Sequence, residues 1–336
     1  MKFGPVPVAE SLGGIIAHAV RRDGLMLKKG TLVGAREHRQ LLDAGITSVM
    51  IARLEPGDIG EDEAASRLAL ALAGAHVKVE APFTGRANLF ADTAGLLIFE
   101  SATIDAINAP DERITVATLG ALKAVVEGEM VGTVKIIPFA LEAPALESAL
   151  TRCGSGLRIA PFRAHRVAVI STVLPSLKPA TIEKTLRVTE DRLTPLGSSV
   201  VAQAQVAHET EALTRAILDL EHSADLLIIF GASAISDRLD VIPSALVAAG
   251  GSVTQLGMPV DPGNLLLLGR TSAGTPVIGA PGCARSPREN GFDFVLQRLL
   301  AGVEVSAASI RAMGAGGLMM EIISRPQPRG GGGSGE

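Results

Sequence analysis

Apolar residues in the second half of the chain fall into short unbroken runs, separated by amphipathic stretches of helical spacing. The run RVAVISTV, Arg166–Val173, has the length and continuous apolarity of a parallel strand covered on both faces. It is followed by ATIEKTLRVTEDRLTPLG, whose Leu and Val positions return every third or fourth residue. That stretch stops at Gly197, a residue suited to a left-handed helix end. The alternation continues through strand SSVVAQAQV, helix HETEALTRAILDLEH, strand ADLLIIFG, helix VIPSALVAAG and strand SVTQLGMPV. Two short strands, LLLLGR and TPVIGA, and the helix GFDFVLQRLLAG complete it. Strands and helices alternating at these lengths predict an α/β fold, a three-layer doubly wound mostly parallel sheet over 163–305.

The first half is less regular and predicts a smaller α+β region. GGIIAHAV and LKKGTLVG, the helix AREHRQLLDAG and the strand ITSVMIARL make a unit over 1–58. A second unit over 59–160 starts with GDIGEDEAASRLALALAG, a helix that Asp58 or Gly60 caps. It continues through TGRANLF, GLLIFE, a helix TLGALKAVV and the strand TVKIIPFAL. A C-terminal segment over 306–324 leads to the Pro- then Gly/Ser-rich tail RPQPRGGGGSGE at 325–336, which reads as a flexible linker.

Composition narrows the function. The formal charge is −4, with no basic stripe and no interleaved aromatics, which argues against nucleic acid. Trp and Tyr are absent and only 9 Phe remain, so a flat ligand has to be held by backbone, aliphatic groups and arginine planes. Cys153 and Cys283 form no CxxC pair, hence no zinc site and no disulfide framework is indicated. The N-terminus lacks a basic-then-apolar signal, and no apolar run reaches the roughly 20 residues of a membrane span. The expectation is a cytoplasmic protein without a membrane partner. HExxH, GxGxxG after a strand, GxxxxGK[ST] and GxSxG are all missing.

Three loops are rich in small and polar residues and leave predicted strand ends, where ligands of open α/β sheets bind. Gly231, Ala232 and Ser233 open the first, and their small side chains let backbone N–H groups approach a phosphate or a ring. In the same loop Asp237 and Asp240 are candidates for catalysis, for a Mg²⁺ ion or for accepting from ring nitrogens; alternatively Asp240 simply caps the next helix. The second loop is Asp261-Pro262-Gly263-Asn264, by itself a turn signature. The third runs from Pro281 and Gly282 through Cys283, Arg285, Ser286 and Arg288 to Gly291, and its arginines suit it to clamp an anion. A nearby arginine would activate Cys283 as a nucleophile, but no histidine base lies close to it in sequence.

Taken together, these loops resemble a known family. ADLLIIFGASAISDRLDV, MPVDPGNLLLLGR and TPVIGAPGCA are similar to the molybdopterin-binding domain shared by molybdenum-insertion and molybdopterin-adenylylation proteins. IIAHAV, LKKGTLV, TGRANLFADTAGLL and TVKIIPFAL resemble the N-terminal part of a bacterial subgroup in which this domain can precede a nucleotidyltransferase. There are departures. Gly231-Ala232 replaces paired glycines, and Asp240 aligns only with one extra loop residue. Glu183-Lys184-Thr185 stands where the family opens its first helix with Asp-Ser-Asn. Asn264 replaces a lysine, and Cys283-Ala284 an Asn-Pro pair.

The resemblance implies molybdopterin, or its nucleotide form, as ligand, with Mg²⁺ and ATP if transfer occurs. Lys184 and Thr185 join the loop residues as expected contacts. It also implies a homo-oligomer and a nucleotidyltransferase or molybdoenzyme-maturation partner. Two other readings stay open: a non-catalytic molybdopterin carrier, and an unrelated α/β enzyme with Cys283 as nucleophile.

Overall fold

The computed structural model describes residues 1–319. The chain divides into two compact units, one ending at Ala160 and the other beginning at Pro161. The expected flexible tail at 325–336, and the end of the expected 306–324 segment, lie outside the described residues.

The first unit holds two large apolar clusters. Around one, strands Lys2–Pro7, Ser48–Arg53 and Ile15–Ile16 form an antiparallel sheet against the helix Ala35–Asp43. Val8, Ile16, Leu41, Val49 and Ile51 fill it. Around the other, strands Ile114–Thr118, Met130–Ile136, Arg86–Ala91 and Val77–Val79 form an antiparallel sheet in that order. The helix Glu61–Leu72 buries Ala64, Ala65, Leu68, Ala69 and Leu72 in the same cluster. Their spacing of three and four residues is the apolar stripe that the sequence shows. Gly60 occupies the N-cap position of this helix, while Asp58 accepts from the Glu55 amide instead.

The expected helix TLGALKAVV does not form. Leu122 takes a positive φ of 62°, which no helix accommodates, and its amide donates to Leu97 O. Ala124–Val125 then pairs antiparallel with Gly95–Leu96, so sheet pairing outweighs the helical propensity of the stretch. Helices form on either side of it in sequence, at Ser101–Asn108 and Ala143–Leu150.

In the second unit the strands are β1 (Arg166–Val173), β2 (Ser199–Ala207), β3 (Leu226–Phe230), β4 (Ser252–Leu256), β5 (Leu267–Arg270) and β6 (Pro276–Ala280). Its main helices are α1 (Pro179–Leu193), α2 (Thr210–Leu220), α3 (Val241–Ala248), α4 (Gly291–Leu300) and α5 (Ala307–Arg311). The sheet order is β2-β1-β3-β6-β5-β4. β2, β1, β3 and β6 pair in parallel, and β5 is antiparallel to both neighbours, so it runs against the other strands. Gly197 adopts the left-handed conformation, φ 73°, after the short 3-10 turn that ends α1.

Alternate residues of each central strand face opposite sides. Val167 and Val169 of β1 join Leu193, Phe292 and Leu296 from α1 and α4. Ala168 and Ile170 join Leu213, Ile217 and Leu246 from α2 and α3. β3 is buried at every position, and each of its Leu, Ile and Phe side chains contributes about 1.5–3 kcal/mol of transfer energy. Val305, Ile310 and Met313 pack into the α1–α4 face, which makes the chain around α5 part of this core. No helix of the described residues is long and apolar enough to cross a membrane.

Close packing extends to the backbone. A Cβ on Gly269 would stand 2.5 Å from both Ser252 O and Leu246 Cδ2. Gly269→Ala is therefore expected to lower stability by about 1–3 kcal/mol in urea unfolding. Gly282→Ala, with open space at its Cβ, should change the same midpoint by less than about 0.5 kcal/mol.

Candidate functional site

β1 is followed by β2 on one side and by β3 on the other, so strand order reverses at its carboxyl end. In an open α/β sheet this is where a crevice forms. Thr172, fully buried near the end of β1, ties both neighbours together. Its Oγ1 accepts from the Ala232 amide at 2.8 Å, beyond β3, and lies 2.8 Å from His208 Nδ1, beyond β2.

The first loop leaves β3 at Gly231. A Cβ there would meet Ser233 O at 2.5 Å, so only glycine fits the turn. Ser233 is exposed, and its hydroxyl makes no hydrogen bond among the described residues. Asp240 caps α3: Oδ1 accepts from the Val241 amide at 2.7 Å, and Oδ2 accepts from the Ser236 amide at 3.1 Å and its hydroxyl at 3.4 Å. Asp237 Oδ1 accepts from the Leu239 amide at 2.7 Å.

Asp240 is thus engaged through both oxygens inside the loop, and Asp237 through Oδ1 alone. Among the described residues no group of three His, Cys, Asp or Glu side chains could hold a metal ion.

The third loop follows β6 as a 3-10 turn over Gly282–Arg285 and is joined to the first by one side chain. Arg285 Nη2 donates to Gly231 O at 2.9 Å, and its guanidinium lies 5.4 Å from the Phe230 ring centroid. Burial pulls the Arg285 guanidinium below its ordinary range. The rest of the loop is gripped from α1. Arg192 Nε donates to Asp293 Oδ1 at 2.6 Å, Nη1 to Ala284 O at 2.9 Å and Nη2 to Ser286 O at 2.6 Å. Asn290, fully buried, caps α4 by accepting from the Phe292 amide and donates to Arg288 O at 2.9 Å. Cys283 is half-buried, its Sγ 3.5 Å from Asn290 Oδ1.

The second loop meets the third at the start of α4. The Gly291 amide donates to Pro262 O at 2.8 Å, and a Cβ on Gly263 would stand 2.8 Å from Gly291 Cα. Pro262 and Gly263 are buried by this contact, and Asn264 is exposed.

Lys184 and Thr185 stand apart from this group. α1 begins at Pro179, so they lie in its second turn rather than at its opening. Thr185 is buried and donates to Thr181 O at 2.7 Å, which removes it as an open ligand contact. Lys184 is exposed, and no hydrogen bond or ion pair joins it to the loops.

A partly open pocket of about 190 Å³ lies at the other end of β6. Arg270, Pro276, Leu299 and Ser306 help line it. The position rule for parallel sheets favours the loop end, where the polar donors converge.

No protein-family model matches the chain, and no curated protein matches it. Among solved structures it is similar to a molybdopterin biosynthesis MoeA protein from Pyrococcus horikosii. The identity is 17% and the TM-score 0.33, with 90% of this chain and 75% of that one covered. It is also similar to a molybdenum cofactor biosynthesis protein from Pyrococcus furiosus, at 11% identity and a TM-score of 0.26. There 90% of this chain and 65% of that one are covered. Both superpositions are loose.

The Arg192 clamp makes a measurable demand. Its side chain and that of Asp293 are each only 9% exposed, so removing one partner strands a buried charge. Arg192→Ala is expected to cost about 3–5 kcal/mol in chemical denaturation. Arg215→Ala, at an exposed pair with Glu211, should cost under about 1 kcal/mol.

Proposed function

We propose that the second unit binds molybdopterin or its nucleotide form during molybdenum cofactor assembly, on a three-layer, doubly wound domain. The observation that carries this reading is the joining of the first and third loops by Arg285 at the carboxyl ends of β3 and β6. These are the loops whose sequences resemble the molybdopterin-binding domain. In this reading the pterin ring lies along the small residues Gly231, Ala232 and Ser233, and Asp237 Oδ2 accepts from a ring nitrogen. Pro281, Gly282, Cys283 and Ser286 border the ligand from the other side. Pro262 and Gly263 act indirectly by seating the start of α4, and Asn264 presents the exposed amide of that loop.

In a second form of this reading the chain is a non-catalytic carrier. Asp240 is occupied as a helix cap, which leaves Asp237 Oδ2 as the free carboxylate oxygen of this loop. Transfer with ATP and Mg²⁺ would then belong to a nucleotidyltransferase partner. The reading retains a homo-oligomeric state as part of the proposal.

The absence of Trp and Tyr makes the test direct, because protein emission does not mask pterin fluorescence. Titrating the protein into molybdopterin is expected to saturate at roughly micromolar concentration, about −8 kcal/mol. Ser233→Ala and Asp237→Ala should each weaken it severalfold. Unchanged pterin emission at high protein concentration would sink the reading, and ATP turnover by the purified chain would replace the carrier with an enzyme.

A further inference from the structure

Most arginines that anchor structure here face a carboxylate or a row of carbonyls. Arg192 meets Asp293, Arg166 meets Asp225, and Arg113 meets Asp111 and Glu142. Arg298 is half-buried without a carboxylate, but it sits in the last turn of α4, where the carbonyl ends of the helix favour a cation.

Arg285 has neither form of compensation. No carboxylate pairs with it among the described residues, and its one protein hydrogen bond is the one from Nη2 to Gly231 O. Its Nε is buried and without a partner. A guanidinium held in this way, over the Phe230 ring, is costly, because a desolvated charge without an anion destabilises the fold around it. Desolvation is the sole cause that depresses its pKa. The acids of the first loop, Asp237 and Asp240, form no ion pair with it: Asp237 accepts from the Leu239 amide, and Asp240 from the Ser236 and Val241 amides. The Ser233 hydroxyl is exposed on the loop that Arg285 grips and makes no hydrogen bond among the described residues, whereas the Ala232 amide is already taken by Thr172 Oγ1.

We infer that Arg285 is the anion anchor of the site and takes a phosphate monoester, with the Ser233 hydroxyl donating to the same phosphate. The missing counter-charge of the folded protein is then the ligand's own. A planar guanidinium suits tetrahedral phosphate oxygens, and the low-dielectric setting strengthens each charge-assisted bond. The inference deepens the pterin reading and rests on it for what bears the phosphate, but not for the anion itself.

The test uses inorganic phosphate and the whole chain. Wild-type protein at constant ionic strength is titrated with phosphate, followed by calorimetric Tm and by the arginine Nε–H resonances of ¹⁵N-labelled protein. Saturable binding with movement of the Arg285 Nε–H resonance is expected. Arg285→Gln keeps a donor for Gly231 O while removing the charge, and should weaken phosphate binding by roughly tenfold or more. Its Tm without phosphate should stay level or rise, which a purely structural arginine would not allow.

The inference is overturned if wild type shows no saturable phosphate effect, or if the Gln variant binds as wild type does. If the variant is too unstable to titrate, the wild-type resonance decides: movement with phosphate supports the anchor, and an unmoved signal overturns it. Running the molybdopterin titration in parallel separates the two claims. Pterin binding without phosphate binding removes only the anchor, whereas phosphate binding without pterin binding removes only the pterin.

Discussion

The geometry at the loop end of the sheet depends on one buried ion pair. Arg192 leaves α1 near its last turn and reaches Asp293 in the first turn of α4, joining two helices on the same face of the sheet. Its other donors hold the carbonyls of Ala284 and Ser286, so the loop between β6 and α4 is fixed by a side chain from a distant element. Such a pair gains little over apolar packing in free energy, but it sets one arrangement, because any other would leave a charge buried alone. The Phe292 ring lies beneath the guanidinium, its centroid 5.6 Å from Cζ.

Two arginines in this region have opposite roles for the same chemical reason. Arg192 is fully used by the protein and has no donor left to offer a ligand. Arg285 is incompletely used, and it lies where Thr172 and Gly231 draw the ends of β1 and β3 together. The first holds the frame, and the second leaves its Nε without a partner among the described residues.

The second unit was largely legible in the sequence because its strands are buried on both faces and appear as unbroken apolar runs, while each intervening helix shows its stripe. Gly231 and Arg285 were also legible, since small residues and a cation after a strand are local signals. Arg192 was not, because its partners lie 92 to 101 residues away. His208 and Thr172 escaped for a similar reason: their contact joins the ends of two strands 36 residues apart. In the first unit, the stretch around Leu122 was misread as helix because pairing with Gly95–Leu96 is invisible to local periodicity. Asp240 shows the limit of residue type as a guide. A carboxylate after a strand suits a metal or a helix cap equally, and only its bonds to the Ser236 and Val241 amides identify the cap.

The approach of Gly263 to Gly291 leaves no slack where the second loop meets α4. A methyl at 263 would press on the backbone at 291, and one at 291 would press on the Met258 sulfur and the Val260 side chain. Each glycine is thus required for its own reason, and a side chain at either would lift the second loop off the start of α4 and, with it, loosen the hinge by which the helix enters the third loop.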